Sequence, residues 1–203
     1  AMFVKDPLAR EEMLAQRQAC GGDRYDEVWE GVYMMNPMPN NEHQDVVGEM
    51  FGVLLTTIAW RDLGRVLPGV NLSDLDEEWT ENYRIPDIAV FLNDTSAVNC
   101  GTHWRGAADF LVEVVSEHDD TRSKLPFYSG LGVRELMIVD RNPWAVELLR
   151  FDGKELRSAG VSTVEGDIWL ESEVVPLRFR LVAGESRPQI EVEHPAEDQR
   201  WLV

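Results

Sequence analysis

Cysteine is scarce in this sequence, which has 203 residues and only two cysteines, Cys20 and Cys100. They lie far apart and form no CxxC pair, which argues against a disulfide framework and against a zinc ribbon built from paired cysteines. A thiol outside such a framework behaves as a small apolar side chain. Both cysteines are therefore predicted to be reduced and partly buried.

Long hydrophobic runs are missing as well. No apolar stretch approaches the roughly 18 residues that a membrane-spanning helix needs. Residues 1–6 lack the apolar centre of a signal peptide. The composition, 44% hydrophobic and 28% charged, is ordinary for a soluble globular protein. We therefore expect a cytoplasmic protein with no membrane partner.

Basic residues are few, since 19 Lys and Arg stand against 37 Asp and Glu and give a net charge of −18. Proteins that bind nucleic acid usually carry a basic surface, because phosphate contacts supply most of the non-specific affinity. The balance argues against a protein that coats DNA tightly without sequence preference. It leaves room for a local basic patch, and some of the acidic residues are candidates for metal ligands.

The length of the chain suits one domain with its own hydrophobic core. We expect residues 1–183 to form that domain and residues 184–203, which are acidic and contain two prolines, to form a loosely ordered tail. Asp6-Pro7 predicts a helix over about 7–19, which Gly21-Gly22 ends. Apolar residues at helical spacing predict a second helix over about 42–62.

Strand-like segments occur along the rest of the chain, at about 25–35, 65–70, 88–92, 110–115 and 136–140. A short helical segment separates the last two, and this order favours a crossover between parallel strands. The Asp152-Gly153 turn predicts a further hairpin over about 146–159. Residues 71–83 are polar and acidic and are predicted to form a surface loop. Together these elements predict a mixed α/β (α+β) protein.

Two acidic residues are placed unusually. Glu113 lies inside an apolar run, and an unpaired buried carboxylate is costly, so it needs a cation, a hydrogen-bond donor or a metal. The strand alone fits equally well a glutamate paired with a buried lysine or arginine. Asp87 follows Pro86 at the entry to the strand of 88–92 and would project near the sheet. Two carboxylates on neighbouring strands would suit Mg²⁺ or Mn²⁺.

Several separated motifs follow one another: RIPDIAV at 84–90, FLVEVVS at 110–116, DTRSK at 120–124, FY at 127–128, GVRE at 132–135 and IVD at 138–140. With Asn36-Pro37 and His43 upstream, they resemble the Uma-two group of bacterial endonucleases in the PD-(D/E)XK superfamily. The resemblance covers about residues 25–155. It implies a restriction-endonuclease-like core, in which helices flank a mixed central β-sheet, with an extra C-terminal β-hairpin. It also implies hydrolysis of phosphodiester bonds with Mg²⁺ or Mn²⁺ as cofactor.

The chain departs from the superfamily pattern at its lysine, which in the general form lies two residues after the second acid on the same strand. That position is Val115 here, and the resemblance points to Lys124, beyond the strand, instead. Asp120 and Tyr128 are spaced four residues before and after Lys124 and would share its helical face. A solvated surface lysine is the alternative interpretation.

The resemblance implies a role for each of these residues. Asp87 and Glu113 would hold the metal, and Lys124 would stabilise charge on the phosphate or orient the attacking water. Asp120 would hold Lys124 in place or sit behind the metal ligands, and Tyr128 is a weaker candidate for a phosphate contact.

Two positions near these motifs are candidate accessory residues. His43 begins the second helix and is interpreted either as a surface histidine or as part of the site. Ser116 follows the strand of Glu113 and precedes Glu117, where relatives commonly have proline. Arg84 and Arg122 are expected to add local positive charge.

The expected partner is nucleic acid, with DNA as the substrate, and scattered tryptophans suggest a homodimer. Two other functions stay open. One is a non-catalytic binding module on a nuclease fold, which the net charge of −18 favours. The other is a metal hydrolase that acts on a small phosphorylated molecule.

Overall fold

Short strands make up much of the computed structural model, which describes residues 2–4, 6–116 and 120–203. The helices of this part are α1 (Pro7–Cys20), α2 (Asn41–Thr57) and α3 (Leu125–Leu131), and 3-10 turns lie at Ala59–Arg61, Trp79–Glu81 and Thr121–Lys124. The strands, in chain order, are β1 (Met2–Val4), β2 (Glu27–Trp29), β3 (Val32–Met35), β4 (Gly64–Pro68), β5 (Leu72–Ser73), β6 (Tyr83–Arg84), β7 (Ile88–Leu92), β8 (Val98–Asn99), β9 (Trp104–Arg105), β10 (Phe110–Val114), β11 (Glu135–Arg141), β12 (Trp144–Phe151), β13 (Leu156–Ser162), β14 (Leu170–Glu171), β15 (Arg178–Val182), β16 (Gln189–His194) and β17 (Gln199–Leu202). None of these described helices is long and apolar enough to cross a membrane.

Capping residues set the ends of the first two helices. Asp6 accepts a hydrogen bond from the Ala9 N–H at 3.0 Å, and α1 ends at Gly21, whose φ of 69° suits glycine. This confirms the predicted first helix. The Asn40 side chain caps α2 by accepting from the His43 N–H at 3.0 Å. Helix α2 ends earlier than the predicted 62, because the chain tightens into a 3-10 turn.

The central sheet has the order β13-β12-β11-β10-β7-β4. Strands β10 and β11 pair in parallel, as predicted, with Leu111 beside Leu136, whereas the other neighbours are antiparallel. The predicted hairpin is β12–β13. It belongs to this sheet, and its turn is centred on Gly153 and Lys154, one residue later than predicted, since the Asp152 N–H donates to the Glu155 carbonyl at 3.1 Å. A mixed sheet flanked by helices is therefore confirmed.

Strand β10 is buried on both faces. Phe110, Val112 and Val114 join an apolar cluster with the inner face of α2. Leu111 lies in the cluster on the opposite face, which also contains Tyr128 of α3. Since side chains alternate along a strand, Glu113 shares the face of Leu111 and points toward α3.

A second sheet, of order β1-β3-β2-β6-β5-β9-β8, lies beside the first. Strand β5 and the first residue of β6 fall in residues 71–83, so the prediction of a surface loop for the whole of that segment is wrong. Leu72 and Ser73 are buried, and β5 pairs with β6 and β9. These strands of two residues are too short to give a periodic pattern in a polar sequence, so the sequence did not predict them.

The two cysteines are free thiols. Cys100 is partly buried, as expected, whereas Cys20 is exposed.

The C-terminal residues form a third sheet of order β14-β15-β16-β17, so the prediction of a loosely ordered tail over 184–203 is wrong. Ile190, Val192 and Val203 are buried and belong to the same apolar cluster as α2. The acidic residues between them face cations on neighbouring strands, for example Glu191 with Arg180 at 2.7 Å. Along these strands, buried apolar residues therefore alternate with acidic residues that form ion pairs with arginines of the neighbouring strand.

Candidate active site

Asp87 lies at the entry to β7, beside the strand that carries Glu113. The register pairs Val112 with Ile88, so one further step along both strands brings Glu113 opposite Asp87. Asp87 Oδ2 accepts a hydrogen bond from the Val114 N–H at 2.7 Å. This bond holds the aspartate against the end of β10.

His43 connects α2 to both strands. Its Nε2 lies 3.0 Å from Asp87 Oδ1, and its Nδ1 lies 3.0 Å from the Ser116 hydroxyl. The His43 side chain is 7% exposed, which fits a member of the site and contradicts the surface-histidine interpretation. The Asn40 cap begins α2 at this point, so His43 contacts Asp87 directly and Ser116 lies behind it at the other ring nitrogen.

Glu113 is surrounded by hydrogen-bond donors from the segment that follows its strand. Tyr128 of α3 donates to Glu113 Oε1 at 2.6 Å, and Lys124 Nζ lies 3.1 Å from the same oxygen and 3.4 Å from Oε2. Lys124 ends the 3-10 turn that precedes α3, and Pro126 fits in the first turn of that helix. Lys124 and Tyr128 are both buried. The interpretation of Lys124 as a solvated surface lysine is therefore wrong.

Glu27 belongs to the site and was missed by sequence reasoning. It lies on β2 and is buried, with Lys124 Nζ 2.9 Å from its Oε1. The same oxygen accepts from the Ile85 N–H at 2.7 Å, and Oε2 accepts from the Trp29 indole at 2.7 Å. Its sequence setting, directly after Asp26 and ahead of a glycine turn, resembles an ordinary polar strand end and carries no signal.

Arg84 is a structural cation beside Glu27. Its guanidinium lies over the rings of Trp29, at 4.5 Å, and Phe127, at 4.2 Å, and it donates to the Val28 carbonyl at 2.9 Å. Burial lowers the pKa of Arg84, and the charge of Glu27 opposes that shift. Its enclosed position ties β6 to α3 and leaves it poorly placed to contact a substrate.

Burial dominates the ionisation of the central residues. Desolvation raises the pKa of Glu113 above its ordinary value, Lys124 opposes the shift, and Asp87 and Glu27 add to it. Desolvation also raises the pKa of Tyr128 well above its usual range, and the charge of Glu113 reinforces this. Tyr128 therefore stays a hydrogen-bond donor.

Asp120 lies at the start of the 3-10 turn that carries Lys124. The Asp120 carbonyl accepts a hydrogen bond from the Ser123 N–H at 2.8 Å and so shapes the turn. Asp120 is half-buried. A direct role of its carboxylate at the site stays a prediction. Glu117 lies outside the described residues.

Residues 11–184 match the Uma2 family, described as "Putative restriction endonuclease". The chain belongs to the Uma2 family. All the site residues described above lie within the matched segment, and membership supports a nuclease-like, hydrolytic function. No curated protein matches the chain in sequence.

A solved structure from Anabaena variabilis, described as "a putative nuclease belonging to DUF820", is similar to this Uma2 chain. The TM-score is 0.59 at 18% sequence identity, and the likeness covers 72% of this chain and 80% of the other. At this identity the likeness shows the fold. It confirms the predicted nuclease-type α+β core.

Nuclease families usually use a divalent cation, and the charges of this Uma2 site fit one. Lys124 contacts the carboxylates of Glu27 and Glu113, and the carboxylate of Asp87 lies opposite Glu113 on the neighbouring strand. Among the residues that the structure describes, the ion-pair partner of Asp87 is His43, which carries a positive charge only when protonated. Buried negative charge is costly without a cation. Hard carboxylate oxygens with surplus negative charge suit Mg²⁺ or Mn²⁺.

Proposed function

We propose that this chain is a metal-dependent endonuclease that hydrolyses phosphodiester bonds of nucleic acid, with DNA as substrate and Mg²⁺ or Mn²⁺ as cofactor. The observation that carries the proposal is the placement of Asp87 opposite Glu113, with Lys124 on the far side of Glu113. The family description, and that of the Anabaena variabilis protein, support it.

Each residue has a part in this proposal. Asp87 and Glu113 hold the cation, which when bound polarises a phosphoryl oxygen and lowers the pKa of a water molecule. Lys124 stabilises charge that develops on the phosphate or orients the attacking water. Tyr128 positions Glu113 through its 2.6 Å hydrogen bond, so we assign it no phosphate contact. His43 orients Asp87.

Ser116 and Asp120 act indirectly, by positioning His43 and Lys124. Ser116 fixes the ring of His43 by its bond to Nδ1, which directs Nε2 toward Asp87. Asp120 acts on Lys124 through the 3-10 turn that both residues share. Both are positioning residues, since each acts through a neighbouring side chain.

The site is open to solvent on the side of Asp87. With His43 it lines a cavity of about 150 Å³ that Arg24, Tyr25 and Gly69 also line. The Asp87 side chain is 20% exposed, whereas those of Glu113 and Lys124 are 4% and 8% exposed. A phosphate group would therefore approach from the Asp87 side, where the exposed Arg24 offers a positive charge.

Cleavage of supercoiled plasmid in Mg²⁺ tests the proposal. Asp94 provides a matched control for Asp87, because it is an exposed aspartate just beyond β7. We expect cleavage by the parent and by Asp94→Asn and loss of cleavage in EDTA. Asp87→Asn should cleave at least about a hundredfold more slowly, since loss of even a partner behind a metal ligand costs about 10–100-fold.

The alternatives predict different results. If the parent hydrolyses a small phosphodiester such as bis(p-nitrophenyl) phosphate but leaves the plasmid intact, the substrate is a small phosphorylated molecule. If neither substrate is cleaved in Mg²⁺ or Mn²⁺ while the plasmid is bound, the chain is a binding module. Equal plasmid cleavage by Asp87→Asn and Asp94→Asn would contradict the proposed metal site.

A further inference from the structure

A second cluster of metal-ligating side chains lies away from Asp87 and Glu113, at the turn between β8 and β9. The Cys100 N–H donates to the His103 carbonyl at 2.9 Å, and the strands pair Asn99 with Trp104, so Cys100 and His103 face each other across a two-residue turn. Residues paired across antiparallel strands project from the same face. The CxxH spacing thus brings a thiol and an imidazole together.

Asp76 completes the cluster from the acidic segment after β5. One ligand atom each from Asp76, Cys100 and His103 lie within 4.8 Å of one another. Cys100 Sγ is 3.6 Å from Asp76 Oδ1. Tetrahedral zinc, with bonds of about 2.0–2.3 Å, places neighbouring ligand atoms roughly 3.3–3.6 Å apart. The sulfur and the carboxylate oxygen are already at that separation.

Supporting contacts orient each ligand as metal sites require. His103 Nε2 donates to the Leu75 carbonyl at 2.9 Å, which leaves the lone pair on Nδ1, where the Thr102 hydroxyl lies at 3.2 Å. Asp76 Oδ2 is held by Arg105 at 2.6 Å, which leaves Oδ1 beside the thiol. Metal-binding histidines and carboxylates usually carry such partners on their second polar atom.

The ring of His103 is also fixed by packing. It is 3% exposed and stacks on Trp79 with ring centroids 5.0 Å apart. Asp76 is exposed and Cys100 is half-buried, so an ion can enter from solvent. Three ligands that hold one open position are typical of zinc sites completed by water.

We propose that Asp76, Cys100 and His103 bind Zn²⁺, with water as the fourth ligand. Thiolate, imidazole and a single carboxylate oxygen form a donor set that favours zinc over Mg²⁺, which prefers oxygen alone. Binding releases the Cys100 thiol proton to solvent, and the Thr102 hydroxyl gives way at Nδ1. The ion connects the acidic segment 74–82 to the β8–β9 turn and is independent of the proposed nuclease site.

Cobalt substitution tests the site, because Co²⁺ bound to a thiolate shows a charge-transfer band in the near ultraviolet. The full chain, freed of metal by a chelator, is titrated with Co²⁺ and then with Zn²⁺ in excess Mg²⁺. We expect one equivalent of Co²⁺ to give the band, Zn²⁺ to abolish it, and Mg²⁺ to leave it unchanged.

Variants identify the side chains that give rise to the charge-transfer band. Cys100→Ser should lose it, whereas Cys20→Ser, which changes the other cysteine, and Asp87→Asn, which alters the proposed nuclease site, should keep it. Asp76→Asn, at an exposed position, should bind Co²⁺ at least tenfold more weakly, since even partners behind the ligands contribute about 10–100-fold. Absence of a band in the parent, its survival in Cys100→Ser, or its loss in Cys20→Ser would overturn the proposal.

Discussion

Replacing Lys124 by methionine tests the charge balance of the candidate active site, because methionine removes the ammonium and keeps an unbranched apolar chain. Lys124 Nζ lies 2.9 Å from Glu27 Oε1 and 3.1 Å from Glu113 Oε1, and the three side chains are 8%, 1% and 4% exposed. Removing one partner of a buried ion pair typically costs about 3–5 kcal/mol, since the remaining charge stays buried. We expect Lys124→Met to lower the free energy of unfolding by about this amount.

The assay is urea unfolding in EDTA at slightly alkaline pH. With an m-value of about 2–3 kcal/mol/M, the expected loss shifts the midpoint by roughly 1–2.5 M. Lys154→Met is the matched control, because Lys154 is exposed in the loop between β12 and β13 and should change little. Adding Glu27→Gln to Lys124→Met should recover part of the loss. Equal midpoints for Lys124→Met and Lys154→Met would refute this account of the buried charges.

Three further outcomes are expected. In EDTA, the stability of the parent should fall as pH rises from the ordinary carboxyl pKa toward about 8, because desolvation raises the pKa of Glu113 and the folded state binds the extra proton. Glu113 alone changes the free energy of unfolding by at most about 1.4 kcal/mol per pH unit. Urea unfolding of Glu113→Gln should no longer show this dependence on pH. His43→Ala should cleave plasmid about 10–100-fold more slowly than the parent, because it removes the partner that orients Asp87. The control Asp94→Asn should cleave at the parent's rate. Filter binding should show that polynucleotide affinity rises with Mg²⁺ and falls steeply with salt.

Local signals in the sequence were enough to predict the elements that carry Asp87 and Glu113. A single acid in an apolar strand needs a partner whatever the rest of the fold, so Glu113 stands out without knowledge of its neighbours. The Pro86-Asp87 strand entry and the parallel pair of β10 and β11 depend on short-range patterns of the same kind.

Glu27 could not be found in this way, since its role depends on where β2 lies. Its charge meets Lys124 only because the second sheet folds against α3, a contact between residues far apart in the sequence. The strands at 184–203 were missed for a related reason. Acidic residues such as Glu191 and Glu193 resemble a solvated tail until their cross-strand partners, Arg180 and Arg178, are known.

The net charge of −18 has a specific consequence at the site. Arg122, one candidate source of positive charge, pairs with Asp140 at 2.7 Å and Glu147 at 3.0 Å, and Arg84 is enclosed between aromatic rings. Lys124 already faces two carboxylates. Under the proposed function, a phosphate that approaches Asp87 would meet the negative charge of the site before a divalent cation binds, and the exposed Arg24 would offset part of that charge. For this chain the cation would be needed to admit the substrate as well as to activate it.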